Sequence, residues 1–129
     1  MFFHIDAHNG LAIYEQLVRQ IKYAVAAGSL RPADLVPSVR EMARDLAVNP
    51  NTVARAYREL QHDGILAAVR GTGLEVTPAA PRRCREERLR LLRERFRQVL
   101  AEANNSGIAG DELRALVEAE LALARKGGR

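Results

Sequence analysis

Asn51, Thr52, Arg55 and Arg58 lie close together, just after the pair Asn49-Pro50. Their side chains suit nucleic-acid base edges: Asn fits adenine, Arg fits guanine, and Thr reaches either base or a thymine methyl. The same groups bond phosphate oxygens. Ser38 and Arg40 form a second polar group upstream, and the turn Arg70-Gly71-Thr72-Gly73 forms a third downstream. A helix start carries partial positive charge and free N–H groups, which favour phosphate. A basic residue on a slim turn can enter a narrow minor groove. The three groups point to double-stranded DNA if the chain presents them outward.

The surrounding residues predict the elements that would do so. Tyr14, Leu17, Val18, Ile21 and Val25 repeat at helical spacing, so a helix runs from about Leu11 to Ala27, capped by Gly28. Phe2–Asp6 reads as a short strand and Asn9-Gly10 as a turn. Ser29–Pro37 is a loop. Ser38-Val39-Arg40-Glu41 has the form of a capping box, opening a helix that buries Val39, Met42, Ala43 and Leu46. Ala47-Val48 closes a tight turn. Asn49 then caps a third helix whose first residue is Pro50. Val53, Ala56, Tyr57 and Leu60 form its inward face, leaving Asn51, Thr52, Arg55 and Arg58 outside it. Asp63-Gly64 ends that helix. Ile65–Val69 and Leu74–Thr77 read as strands joined by a turn whose glycines permit positive φ. This order is that of a winged helix-turn-helix: mainly α, with a small β-hairpin.

Thr77-Pro78-Ala79-Ala80-Pro81 reads as a short stiff linker, dividing the chain into domains 1–78 and 79–129. The second part predicts two helices. Leu89, Leu92, Phe96, Val99 and Leu100 stripe the first, from about Cys84 to Ala103; Leu113, Leu116, Val117 and Leu121 stripe the second, which Asp111 can cap. Two helices of this length cannot bury both stripes alone, so the tail predicts dimerisation, with a second copy as the simplest partner.

The run Leu35–Ala43, the run Leu46–Leu60, Gly64-Ile65 and Arg70–Gly73 together resemble the GntR family of bacterial transcription regulators over about residues 11–77. The short tail is similar to that of the YtrA-type subfamily. The resemblance implies a homodimer on a palindromic operator, with Ser38, Arg40, Asn49, Asn51, Thr52, Arg55, Arg70 and Gly71 as DNA contacts. It departs from the family pattern at Ala33, where glycine is usual, and at Leu74-Glu75 in the hairpin.

Charge gives a weaker argument. The net +4 lies wholly in the tail: residues 1–78 hold eight basic and eight acidic residues, and Arg82–Arg97 has eight arginines against three glutamates. That run reads as a solvated helix face with glutamate partners, adding phosphate attraction near the linker. Arg55 and Glu59 also have the spacing of an i,i+4 ion pair. His4 and His8 lack a matching ligand cluster, so no metal or other cofactor is expected. His62 reads as a surface residue at a helix end. Cys84 is either a surface or interface thiol or, if its arginine-rich setting lowers its pKa, an oxidant sensor. No enzyme motif is present, and no apolar run spans a membrane. The expected setting is the cytoplasm. The tail offers little volume for a pocket, so a small-molecule effector would need an interface. The competing reading is a winged helix that binds another protein and stays monomeric.

Overall fold

A computed structural model describes residues 3–6 and 10–127. The elements are α1 (Ile13–Ala27), α2 (Val39–Leu46), α3 (Pro50–His62), β1 (Leu66–Val69), β2 (Gly73–Val76), α4 (Ala80–Asn105) and α5 (Gly110–Gly127). They fall into two compact units, one running through Leu89 and one starting at Arg90.

The first unit is a winged helix-turn-helix. Helix α1 buries Leu17, Val18, Ile21 and Val25, and α3 buries Val53, Ala56, Tyr57 and Leu60. Burying each large aliphatic side chain contributes about 1.5–3 kcal/mol, so the matched stripes drive the packing. Gly28 caps α1 in the left-handed region, its N–H donating to Ala24 and Val25. Met42 and Ala43 of α2 complete the core, with Val39 and Leu46 half-buried beside it. Strands β1 and β2 pair antiparallel in the register Leu66↔Val76 to Val69↔Gly73. Gly71 and Gly73 take the positive φ that the turn requires.

The expected strand at the N-terminus does not form over residues 3–6; Phe2, like Asn9 of the expected turn, lies outside the described residues. Side-chain amides of α1 take the backbone partners that a ladder would need. Gln16, itself buried, accepts from the Asp6 N–H and donates to the Asp6 and Leu11 carbonyls. Gln20 bonds both backbone groups of His4. Phe3 and Ile5 then pack on the core.

The loop before α2 adds a third edge to the hairpin. Ala33 N–H donates to Val76, Val76 N–H to Asp34, and Val36 N–H to Leu74. Leu35 forms a bridge with Glu75, one of the departures from the family pattern. Ala33 holds this pairing at φ 75°, in the left-handed region. A side chain there costs about 1–2 kcal/mol, whereas glycine adds about 0.4–1 kcal/mol of freedom to the unfolded chain. Ala33→Gly should therefore raise the urea midpoint, by up to about 1.5 kcal/mol of stability.

Helix α4 begins at Ala80, earlier than the expected start near Cys84. Pro81 falls in its first turn, where a missing N–H is harmless, so the proline opens the helix instead of delaying it. Ala80 and Cys84 are buried in the first unit, so its core continues past residue 78 into these turns. Arg83 donates to the Asp63 carbonyl at 2.8 Å and Thr77 Oγ1 to the Gly64 carbonyl at 2.6 Å. Lys22 Nζ bridges Asp63 at 3.2 Å and Glu87 at 3.1 Å. Burial pulls the Lys22 ammonium down, but Glu87 and Asp63 outweigh it and leave it above its ordinary value.

In the second unit, α4 continues to Asn105 and Gly107 turns the chain at φ 81°. Helix α5 begins at Gly110, so Asp111 lies in its first turn, where the helix dipole favours a carboxylate, and not at the cap. No residue of α5 is buried. Leu92, Phe96, Val99, Leu100, Leu116, Val117 and Leu121 are all exposed, as is Leu89 at the end of the first unit. Leu91 and Leu123, the latter 62% exposed, join them although the expected stripes omit both. Leu113 is half-buried.

Candidate nucleic-acid interface

The turn between α2 and α3 is closed by Ala47 at φ 56°, whose N–H donates to Ala43 and Arg44. This sets two helix starts near the surface. At the first, Ser38 Oγ accepts from the Glu41 N–H at 3.1 Å, and Glu41 Oε1 accepts from the Ser38 N–H at 3.0 Å. The Ser38 backbone bond, then its side chain, holds the Glu41 carboxyl below its usual range. Capping uses the Ser38 hydroxyl as acceptor, so its O–H stays available as a donor. Arg40 is exposed beside it.

At the second start, Asn49 Oδ1 accepts from the Asn51 N–H at 2.8 Å, leaving the Asn49 amide NH₂ to donate elsewhere. Asn51, Arg55 and Arg58 are exposed and Thr52 is half-buried. The inward face of α3 is fully buried, as its periodicity predicts. Tyr57 belongs to that core, and its hydroxyl donates to the Pro37 carbonyl at 2.7 Å. That bond ties α3 to the residue preceding Ser38. Burial and the Glu41 charge push the Tyr57 phenol up, so it remains a donor at any ordinary pH.

The wing tip, Arg70 to Gly73, is exposed. Thr72 and Gly73 share a groove of about 630 Å³ with Ser38, Val39 and Glu41, so the fold brings the wing turn to the start of α2. Among the described residues, the guanidinium groups of Arg40, Arg58 and Arg70 have no hydrogen-bond or ion-pair partner, although the Arg70 carbonyl accepts from the Thr72 hydroxyl. These are cations without a structural duty.

Arg55 differs. The i,i+4 pair with Glu59 is not formed. Instead its guanidinium lies 3.8 Å from the centroid of the Tyr14 ring, and Nη2 donates to the Tyr14 hydroxyl at 3.1 Å. Sequence periodicity placed Tyr14 on the core stripe of α1. It is only half-buried there, with its polar end at the candidate interface. No local signal could have shown this, because the pairing spans 41 residues.

Other candidates resolve differently. Cys84 is neither a surface nor an interface thiol but 3% exposed in the core. Burial pushes it up to about 11 although Lys22 opposes the rise, so the thiolate of an oxidant sensor is disfavoured. The native thiol stays protonated where the unfolded one ionises, so the native state binds the extra proton. Stability should therefore fall as pH rises from about 9 towards 11. Denaturant titrations at pH 8 and pH 10 should show this loss, and Cys84→Ala should shrink it. His4 is exposed and His62 lies exposed in the last turn of α3. His8 lies outside the described residues, and no group among those described could hold a metal ion. Arg82 pairs with Glu86 at 3.2 Å on a solvated face.

Two helix starts and a hairpin tip, carrying donors on a neutral winged helix-turn-helix, define a DNA-binding transcriptional regulator. Residues 13–76 match the family described as "Bacterial regulatory proteins, gntR family". The HTH-type transcriptional repressor YtrA of Bacillus subtilis (strain 168) is 34% identical over 125 residues, covering 97% of this chain and 95% of YtrA. A transcriptional regulator from Oenococcus oeni has a crystal structure similar at TM-score 0.80 and 33% identity, covering 93% of this chain and 99% of that one. YtrA from Sulfolobus acidocaldarius, a GntR-family transcription factor, is similar at TM-score 0.59 and 33% identity, covering 78% and 99%. The chain belongs to the GntR family, YtrA type. No helix among the described residues is long and apolar enough to cross a membrane.

Proposed function

We propose that this chain is a homodimeric cytoplasmic repressor that reads an inverted-repeat operator. Helix α3 enters the major groove, where Asn51, Thr52 and Arg55 meet base edges. Ser38, Arg40, Asn49 and Arg58 hold phosphates, and Arg70 to Gly73 enter the minor groove. The observation that carries this reading is the split of α3: Val53, Ala56, Tyr57 and Leu60 are buried, while the donors among Asn51, Arg55 and Arg58 are exposed. The exposed apolar stripes of the tail support the homodimer, and the repressor name of a relative similar along nearly the whole chain supports the sign of control.

A mobility shift on the duplex upstream of the chain's own gene, at two salt concentrations, tests it. Binding should weaken steeply at the higher salt, because each neutralised phosphate releases counterion. Absence of a shifted complex would favour the winged helix as a protein-binding module.

A further inference from the structure

We infer that Tyr14 is a positioning residue for sequence readout: it holds Arg55 in the geometry in which α3 reads a base. The inference rests on the DNA-binding reading above. Arginine is long and flexible, and a base contact made by it must order several rotatable bonds. Two contacts of different kinds restrain this one before DNA arrives. The ring, 3.8 Å from the guanidinium carbon, offers its negative face to the cation. The phenol oxygen accepts from Nη2 at 3.1 Å, which fixes the plane of the fork about the stack.

Helix α1 can hold this position because Leu17, Val18 and Ile21, which follow Tyr14, are buried against the same core as α3. Tyr14 is half-buried and anchored, while Arg55 is exposed. The hydrogen bond engages one nitrogen of the guanidinium, and its other N–H groups remain for a paired contact with guanine. The tyrosine thus acts through the arginine. It removes side-chain freedom that would otherwise be lost on binding, and this favours the specific complex over the non-specific one.

A double-mutant cycle tests this. The full chain and its variants Tyr14→Phe, Tyr14→Leu, Arg55→Ala and Tyr14→Leu/Arg55→Ala are titrated with an operator duplex and a scrambled duplex of equal length. Thermal unfolding is recorded for each. Tyr14→Leu should lower the ratio of specific to non-specific affinity about three- to tenfold, and Tyr14→Phe by a smaller factor because the ring remains. With Arg55 already alanine, Tyr14→Leu should change the ratio no further. The inference is overturned if Tyr14→Leu has the same effect in the Arg55→Ala background. It is equally overturned if both Tyr14 variants leave the ratio unchanged, or weaken both duplexes alike. Tyr14→Phe, which keeps the packed ring, carries the test if Tyr14→Leu unfolds. An unchanged ratio for Arg55→Ala alone would instead remove the base-reading role of Arg55, and this inference with it.

Discussion

Phe96→Glu, combined with Leu92→Glu, should turn the chain into a monomer and lower its affinity for an inverted-repeat duplex by about two to four orders of magnitude. Phe96 is 60% exposed in the single chain, on a helix whose neighbouring apolar residues are also uncovered. A stripe of that kind is unfavourable in water at about 25 cal/mol per Å² of apolar surface, and a second copy removes it. Placing a carboxylate there makes association unfavourable, since a buried unpaired charge costs several kcal/mol. On the proposed homodimer, the second half-site is bound at high effective concentration, and the monomer loses that advantage without losing any DNA contact. Light scattering should report the halved mass, and the affinity for a single half-site should stay near its original value. A double variant that remains a dimer would move the interface elsewhere.

The second large effect separates the two faces of one helix. Leu60→Ala should cost about 2–5 kcal/mol of stability, because Leu60 is 0% exposed at the centre of the core. A domain of this size has about 5–15 kcal/mol in total, so the loss shows plainly in a denaturant titration. Arg55→Ala, on the opposite face, gives up only the exposed contacts with Tyr14 and should cost less stability, about 1 kcal/mol. It should instead cost about 1–3 kcal/mol of affinity for the specific duplex and relax preference at one base pair. If Arg55→Ala weakens random DNA equally, Arg55 holds phosphate and does not read a base.

Much of this was legible because the signals are local. The capping box at Ser38 and Glu41, the pair Asn49-Pro50, and the wing glycines each act within a few residues of themselves, and all formed where their chemistry predicts. The buried faces of α1 and α3 followed from periodicity alone. What escaped depends on tertiary placement. Pro81 looks like a break from its sequence neighbours, yet it opens α4, and this carries Cys84 into a core it would otherwise miss. Gln16 lies outside the apolar stripe, and only folding sets it against the backbone of Asp6 and Leu11, where it takes the place of an expected strand. Ala33 stands where the family pattern has glycine, and the reason for glycine there, a positive φ, is visible only in the backbone. The Arg55–Tyr14 contact belongs to the same class: each residue reads correctly on its own helix, and only the packing of α1 on α3 joins them.

The central claim is that the chain reads DNA sequence as a symmetric pair. Selection of bound duplexes from a random pool by the full chain tests it most directly. The enriched sequences should converge on an inverted repeat with half-sites about one helical turn, or a multiple of it, apart. A pool that stays random after selection, or one that converges on a lone half-site without symmetry, would contradict it.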